Sequence, residues 1–157
     1  MKIEFNQFEE ETLNKEATLM TTGNGYLGVR AVHEEKYRNQ DRGFFVRGIF
    51  DRTIGTEAAE LVNLPDITEQ ELRINGEIFS LNSPQVRDYQ RSLDLSTGEL
   101  NRSLKWQTEQ GDWFKITNKR IVSQKNKEQI AFQLIVEPLS GSAEISIKTG
   151  IDGQVSN

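Results

Sequence analysis

From residue 71 to residue 148 the chain is a succession of short runs in which apolar and polar residues alternate, each closed by a turn signal. Alternation with a period of two places one set of side chains on each face of a strand. Glu71-Leu72-Arg73-Ile74 and Glu77-Ile78-Phe79-Ser80-Leu81 flank Asn75-Gly76. Two such runs joined by Asn-Gly are the strongest short hairpin signal, because both turn residues must take positive φ. Arg87 to Leu95 is a further strand, closed by Ser96-Thr97-Gly98. Leu100, Arg102, Leu104 and Trp106 share one phase, and across Gln110-Gly111-Asp112 the chain turns into Trp113 to Val122. Gln129 to Glu137 and Ala143 to Lys148 complete the series. At least seven short strands with turns every ~8–12 residues predict an all-β fold, an antiparallel β-sandwich or barrel.

The N-terminal part is less regular. Ile3, Phe5 and Phe8 suggest a short strand, and Glu9-Glu10-Glu11 reads as a solvated charge run. No stretch carries a convincing helical apolar period. Tyr26 to His33 and Gly43 to Phe50 are strand candidates, separated by a polar loop, Glu34 to Arg42. Residues 51–70 lack strong periodicity, with Leu61 to Asp66 an extended piece stopped by Pro65.

The densest glycine cluster is Thr22-Gly23-Asn24-Gly25-Tyr26-Leu27-Gly28-Val29-Arg30. Asn24-Gly25 is a turn signal, and Gly28 inside an apolar run predicts a close backbone approach there. Gly23, Gly25 and Gly28 match the spacing of a dinucleotide fingerprint, but no clear strand precedes them and no helix pattern follows. A ligand cradle and a tight turn remain the two readings of this stretch.

The chain has 157 residues, a net charge of −5 and no cysteine. One domain is expected at this length. An acidic chain with scattered Lys and Arg is a poor nucleic-acid partner, since phosphate neutralisation needs clustered cations. No apolar run approaches the ~20 residues of a membrane span, and Met1-Lys2-Ile3-Glu4-Phe5 opens no signal peptide. Absence of cysteine fits a reducing compartment, so a cytoplasmic protein without membrane contact is expected.

Candidate chemistry is sparse. His33 is the single histidine, which rules out a His-cluster metal site. The 24 acidic residues mostly alternate with apolar ones, as solvated strand faces do. Trp106 keeps phase with Leu100 and Leu104 and reads as core; Trp113, at a turn, reads equally as core or as a sugar platform.

Taken together, several segments resemble glycoside hydrolase family 65, which includes the maltose, trehalose and kojibiose phosphorylases. Gly23-Asn24-Gly25-Tyr26-Leu27-Gly28-Val29-Arg30 resembles the family's GNGYLGVRG segment, with Ala31 in place of the last glycine. Glu60-Leu61-Val62-Asn63-Leu64-Pro65 is similar to its ELVNLP segment, and Ile74-Asn75-Gly76-Glu77 to its INGE hairpin. Tyr89 to Leu95 with Gly98-Glu99-Leu100 resembles its Y-x-R-x-LDL-x-x-G-x-L run, and Ile151 to Asn157 its IDG-x-V-x-N. The likeness spans nearly the whole chain, in the family's order.

That resemblance implies a single N-terminal β-sandwich domain over residues 1–157, a super-sandwich of the galactose mutarotase-like kind. A linker and an (α/α)6 barrel would follow in a protein several times longer. In the family the general-acid glutamate and the phosphate site belong to that barrel, so no catalytic residue carries over to this chain. The implied activity is inverting phosphorolysis of an α-linked disaccharide, with inorganic phosphate as co-substrate and no other cofactor or metal. The sandwich would supply scaffold, a contact with its own C-terminal catalytic barrel and, as a further role, a homodimer interface. Asn24, Gly25 and Tyr26 are the candidate loop near the sugar site. Separation from the barrel predicts an exposed apolar patch. Two other classes compete: a stand-alone carbohydrate-binding module using Trp106, Trp113 and Tyr26, and a mutarotase-like enzyme using His33.

Overall fold

The computed structural model describes residues 1–52 and 59–155. Thirteen strands and one short helix occur among them. In chain order β1 is Lys2–Phe5, and a 3-10 turn, Glu10–Thr12, leads into α1, Leu13–Leu19. β2 is Thr22–Gly23, β3 Leu27–Val29, β4 Phe44–Val46, β5 Phe50–Asp51 and β6 Glu60–Leu61. β7 is Gln70–Ile74, β8 Glu77–Ile78, β9 Val86–Asp94 and β10 Glu99–Gln107. β11 is Trp113–Val122, β12 Ile130–Pro138 and β13 Ile145–Thr149. The stretch 53–58 and the Ser156-Asn157 end of the final motif lie outside the described residues.

A five-stranded antiparallel sheet, order β1-β9-β10-β11-β12, forms one layer. A three-stranded sheet, β13-β7-β8, faces it. Leu72, Ile74, Phe79 and Leu81 from the smaller sheet and its flank pack on Leu104, Trp106, Phe114 and Ile116 from the larger. This is the all-β antiparallel sandwich expected from the alternation. A second small sheet, β2-β3-β4, packs Leu27 and Val29 on Val122.

The strands from β7 onward lie where the alternation puts them, except that β8 stops at Ile78, short of the expected Leu81. Asn75 and Gly76 have φ of 52° and 80°, the left-handed pair of the expected hairpin. In β9 and β10, Asp88 and Tyr89 together stand opposite Leu104, a bulge at which Asp88 takes φ 54°. The extra residue resets the phase, so that Tyr89, Arg91 and Leu93 all point into the sandwich.

Four N-terminal expectations change. First, α1 exists. Its buried positions, Leu13, Glu16, Ala17 and then Met20, have helical spacing. The apolar period is hidden because one of the four is a glutamate. Second, the strand expected over Tyr26 to His33 stops at Val29. The next carbonyls bond to arginine side chains rather than to a neighbouring strand. Third, Gly43 to Phe50 is broken by Gly48, at φ 89°, into β4 and β5. Fourth, the tight glycine is not Gly28. A Cβ there would meet nothing closer than Thr22 O at 4.0 Å, whereas one on Gly23 would sit 2.9 Å from Leu27 O.

This contrast is testable by chemical denaturation. Gly23→Ala should cost about 1–3 kcal/mol, because backbone must move to admit the methyl. Gly28→Ala should stay within about 0.5 kcal/mol.

Candidate functional site

The interior holds a charged cluster that the spacing of single residues did not announce. Arg91 on β9, Arg102 on β10 and Arg120 on β11 are each at most 3% exposed. Arg102 stands directly opposite Arg91 on one side and Asn118 on the other. All face inward, because they share phase with the apolar residues Tyr89, Leu93, Leu100, Leu104, Phe114 and Val122. That shared phase was the available signal. It was passed over because a cation in a strand normally points to water.

What holds the cations is the segment Arg30 to Glu35, which runs through the interior without secondary structure. Arg120 donates to the carbonyls of Arg30 and Val32, both at 3.1 Å, and Arg91 donates to that of Ala31. Arg42 donates to the carbonyls of His33 at 3.2 Å and Glu35 at 2.8 Å. Gln70 N donates to the Glu34 carbonyl at 2.9 Å. Six successive carbonyls, buried from Ala31 to Glu34 and part-buried at either end, are thus satisfied, as a buried irregular backbone requires.

The charges balance through the same segment. Arg102 holds Glu35 bidentately, at 2.5 and 2.7 Å, and approaches Glu34 at 3.3 Å. Arg120 also reaches Glu34, at 3.0 Å. Glu16 of α1 lies 3.6 Å from Arg91, and Arg42 donates to Asp66 at 2.8 Å. Burial opposes ionisation of Glu34, yet Arg102 and Arg120 outweigh it and hold the carboxyl below its ordinary range. Glu34 is thus an anion locked to two guanidinium groups, the opposite of a carboxylic acid poised to give a proton. The reading of the acids as solvated faces therefore holds for Glu99 and Glu137, which pair with Lys119 and Lys115 at the surface, and fails for Glu16, Glu34 and Asp66.

His33 sits inside this cluster, 1% exposed, with Nε2 2.9 Å from the Tyr89 hydroxyl and Nδ1 3.4 Å from Gln40 Nε2. Burial first, and then Arg91, Arg102, Arg120 and Arg42, push its pKa well below the usual 6.5. Burial also pushes Tyr89 up to about 12. The pair is neutral near pH 7. A mutarotase-like role would place His33 on a cleft wall, and it has no access to one here.

Beside the cluster opens a cleft of about 910 Å³, walled by Arg38, Arg42, Tyr37, Phe45 and Asp152 among others. Asp66 in this cleft is tied to Arg42, and Asp152 to Lys36 at 3.2 Å. Among the described residues no group of His, Asp and Glu side chains is arranged to hold a metal ion.

The Asn24–Gly25–Tyr26 loop lies apart, at the β2–β3 turn. Asn24 Oδ1 accepts from the amides of Tyr26 and Leu27, both at 3.0 Å, and its Nδ2 donates to the carbonyls of Ser123 and Lys127. Gly25 takes φ 81°, and Lys127 Nζ lies 4.8 Å from the centre of the Tyr26 ring. The stretch is thus an Asx turn clamped to the β11–β12 connection. Trp106 is core, 1% exposed, its Nε1 donating to Ser83 Oγ. Trp113 is half-buried beside Arg87, Lys105 and Leu139.

Two measurements check this account. Arg102→Met leaves part-buried Glu35 without its bidentate partner and buried Glu34 with Arg120 alone, and should cost about 3–5 kcal/mol. Lys119→Ala, at an exposed pair, should stay within about 0.5 kcal/mol. The folded state keeps His33 unprotonated while the unfolded chain binds a proton below 6.5, so stability falls as pH drops through that value. Unfolding free energy should decline between about pH 6.5 and pH 5, by up to about 1.4 kcal/mol per unit, and His33→Gln should flatten that slope.

Residues 3–157 match the model of the family described as Glycosyl hydrolase family 65, N-terminal domain. Kojibiose phosphorylase of Escherichia coli is 45% identical over 150 residues, 96% of this chain and 20% of that protein. Kojibiose phosphorylase of Halothermothrix orenii is 42% identical over 151 residues, covering 96% and 19%. Alpha,alpha-trehalose phosphorylase of Geobacillus stearothermophilus is 29% identical over 170 residues, covering 99% and 22%. The chain thus spans about a fifth of the length of these relatives. A solved structure from the human microbiome, provisionally named a kojibiose phosphorylase, superimposes with a TM-score of 0.79 at 24% identity, covering 87% of this chain and 20% of its own. That likeness speaks for the fold alone. On the match along its length, this chain belongs to glycosyl hydrolase family 65, as an N-terminal domain of that family.

Proposed function

We propose that residues 1–157 are the N-terminal part of a disaccharide phosphorylase and carry no catalytic group of their own. The observation behind this is the 45% and 42% identity to two kojibiose phosphorylases along 96% of the chain, at a fifth of their length. Kojibiose is accordingly the α-linked disaccharide to try first. The reaction is inverting phosphorolysis. A carboxylic acid protonates the glycosidic oxygen while phosphate, the co-substrate, attacks the anomeric carbon from the opposite face. Both groups would act in a C-terminal catalytic barrel. The pairing of the buried carboxylates Glu16, Glu34 and Asp66, and of part-buried Glu35, with arginine supports that division. In this reading the sandwich is scaffold, the clamped Asn24–Gly25–Tyr26 loop faces the sugar site, and the cysteine-free chain works in the cytoplasm.

A carbohydrate-binding module is the second reading, and half-buried Trp113 in its shallow pocket is the feature favouring it. Calorimetric titration with disaccharides separates the two. The module reading expects binding that Trp113→Ala abolishes, whereas the phosphorylase reading expects none from this chain at millimolar concentration.

The direct test assays residues 1–157 and the longer protein with kojibiose and phosphate. Sugar 1-phosphate should form with the longer protein only, and turnover by residues 1–157 alone would overturn the division of labour.

A further inference from the structure

The dipeptide Asn-Gly occurs twice, at Asn24-Gly25 and at Asn75-Gly76. Both form turns, with the glycines at φ 81° and 80°. A Cβ on either glycine would meet nothing within 4 Å, so no neighbour crowds it. The side-chain amide of an asparagine can be attacked by the backbone nitrogen of the next residue, because a five-membered ring results. Glycine favours the attack, since it carries no side chain to shield its nitrogen and its backbone rotates freely. Asparagine is accordingly among the thermolabile residues. In local sequence the two sites are chemically equivalent. The fold makes them unlike.

At Asn24 the carboxamide is held on both sides. Its Oδ1 accepts from the amides of Tyr26 and Leu27, and its Nδ2 donates to the carbonyls of Ser123 at 2.7 Å and Lys127 at 3.0 Å. Turning Cγ toward Gly25 N breaks these bonds together and parts the turn from the β11–β12 connection. At Asn75 the side chain makes one bond, in which Oδ1 accepts from Glu144 N at 2.9 Å. Among the described residues its Nδ2 has no partner, and neither has Gly76 N. Asn75 and Gly76 are both exposed, whereas Asn24 is half-buried. The nucleophile and the leaving group of the second site are therefore both free and both wet.

We propose that Asn75 is a site of spontaneous deamidation and that Asn24, in the same dipeptide, is protected from it. Gly76 N forms a bond to Asn75 Cγ, its proton passing through solvent to the departing nitrogen. The Cγ–Nδ2 bond breaks and Nδ2 leaves as ammonia, which closes a cyclic imide between residues 75 and 76. One water molecule then opens the imide. Opening at one carbonyl gives aspartate. Opening at the other gives isoaspartate, whose main chain runs through Cγ and is longer by a methylene. Water is consumed and ammonia released, with no change of oxidation state. The consequence falls on the small sheet. β7 and β8 are joined by this two-residue turn, and Asn75 N donates to Glu144 O at 2.8 Å where the chain enters β13. An added methylene disturbs the register that a two-residue turn sets. Either product also puts a negative charge into a turn that is followed by Glu77 and meets Glu144. The hairpin most plainly marked in the sequence is thus the one with a limited lifetime.

Ageing the folded protein at mildly alkaline pH, with peptide mapping by mass, tests this. The peptide holding Asn75 should deamidate at least about tenfold faster than the one holding Asn24, since only the latter must first open locally. Isoaspartate, labelled by a carboxyl methyltransferase, should accumulate in the Asn75 peptide. In denaturant the hydrogen bonds are gone, and the two peptides should react at comparable rates. Equal rates in the folded protein, or faster loss at Asn24, overturn the proposal. So does an Asn75 that reacts only in denaturant. Asn75→Asp keeps an acceptor for Glu144 N and removes the amide. It should abolish the early release of ammonia, and undiminished release counts against Asn75 as the source. The same variant carries the charge without the methylene. Its denaturant midpoint should stay close to that of fresh protein, while the isoaspartate fraction of aged protein unfolds at a lower one. An isoaspartate fraction as stable as fresh protein overturns the claimed effect on the small sheet.

Discussion

The fold depends on guanidinium groups taking the place of a strand. The segment from Arg30 to Glu35 crosses the interior with no ladder partner, and its carbonyls would be costly there if left bare. Arg42, Arg91 and Arg120 supply donors to five of the six, and Gln70 N to the other. Arginine suits the task better than lysine. Its planar fork reaches two acceptors at once and stays charged in a dry site. The cost of burying those cations is offset by Glu16, Glu34, Glu35 and Asp66, which the same folding event brings within reach.

This arrangement binds the layers to each other. Arg91, Arg102 and Arg120 come from three adjacent strands of the large sheet, while Glu16 comes from α1 and Glu34 and Glu35 from the threaded segment. Like charges opposite each other, as at Arg91 and Arg102, destabilise a sheet unless compensated. The large sheet thus reaches its native charge balance only when helix and threaded segment are in place. Burial, and then the same arginines, hold His33 neutral, which makes the interior sensitive to acid through one imidazole.

A cluster of this design positions backbone; it does not present a reactive group. Each carboxylate is spoken for, and the histidine is sealed behind Tyr89 and Gln40. The surface features left over are a clamped turn at Asn24, a tryptophan at the β11 start and an unpaired edge along β12.

From β7 onward the sequence was legible to within a residue or two, apart from β8, which ends at Ile78 rather than Leu81. Alternation reports which side of a strand is dry, and Asn75-Gly76, Gly98 and Gly111 mark turns that need positive φ. Both are local properties, and so the sequence alone determined the all-β class, the antiparallel pairing and the core role of Trp106. It also carried the family likeness. The helix at Leu13–Leu19, the early end of β3 and the buried charges were not legible, for a common reason. Each depends on Arg91, Arg102 or Arg120 meeting a partner about 60 or more residues away in the chain. A strand arginine facing inward and one facing water have the same local sequence signature. Only the tertiary structure, by bringing an acid or a bare carbonyl within about 3 Å, decides which of the two has the lower free energy.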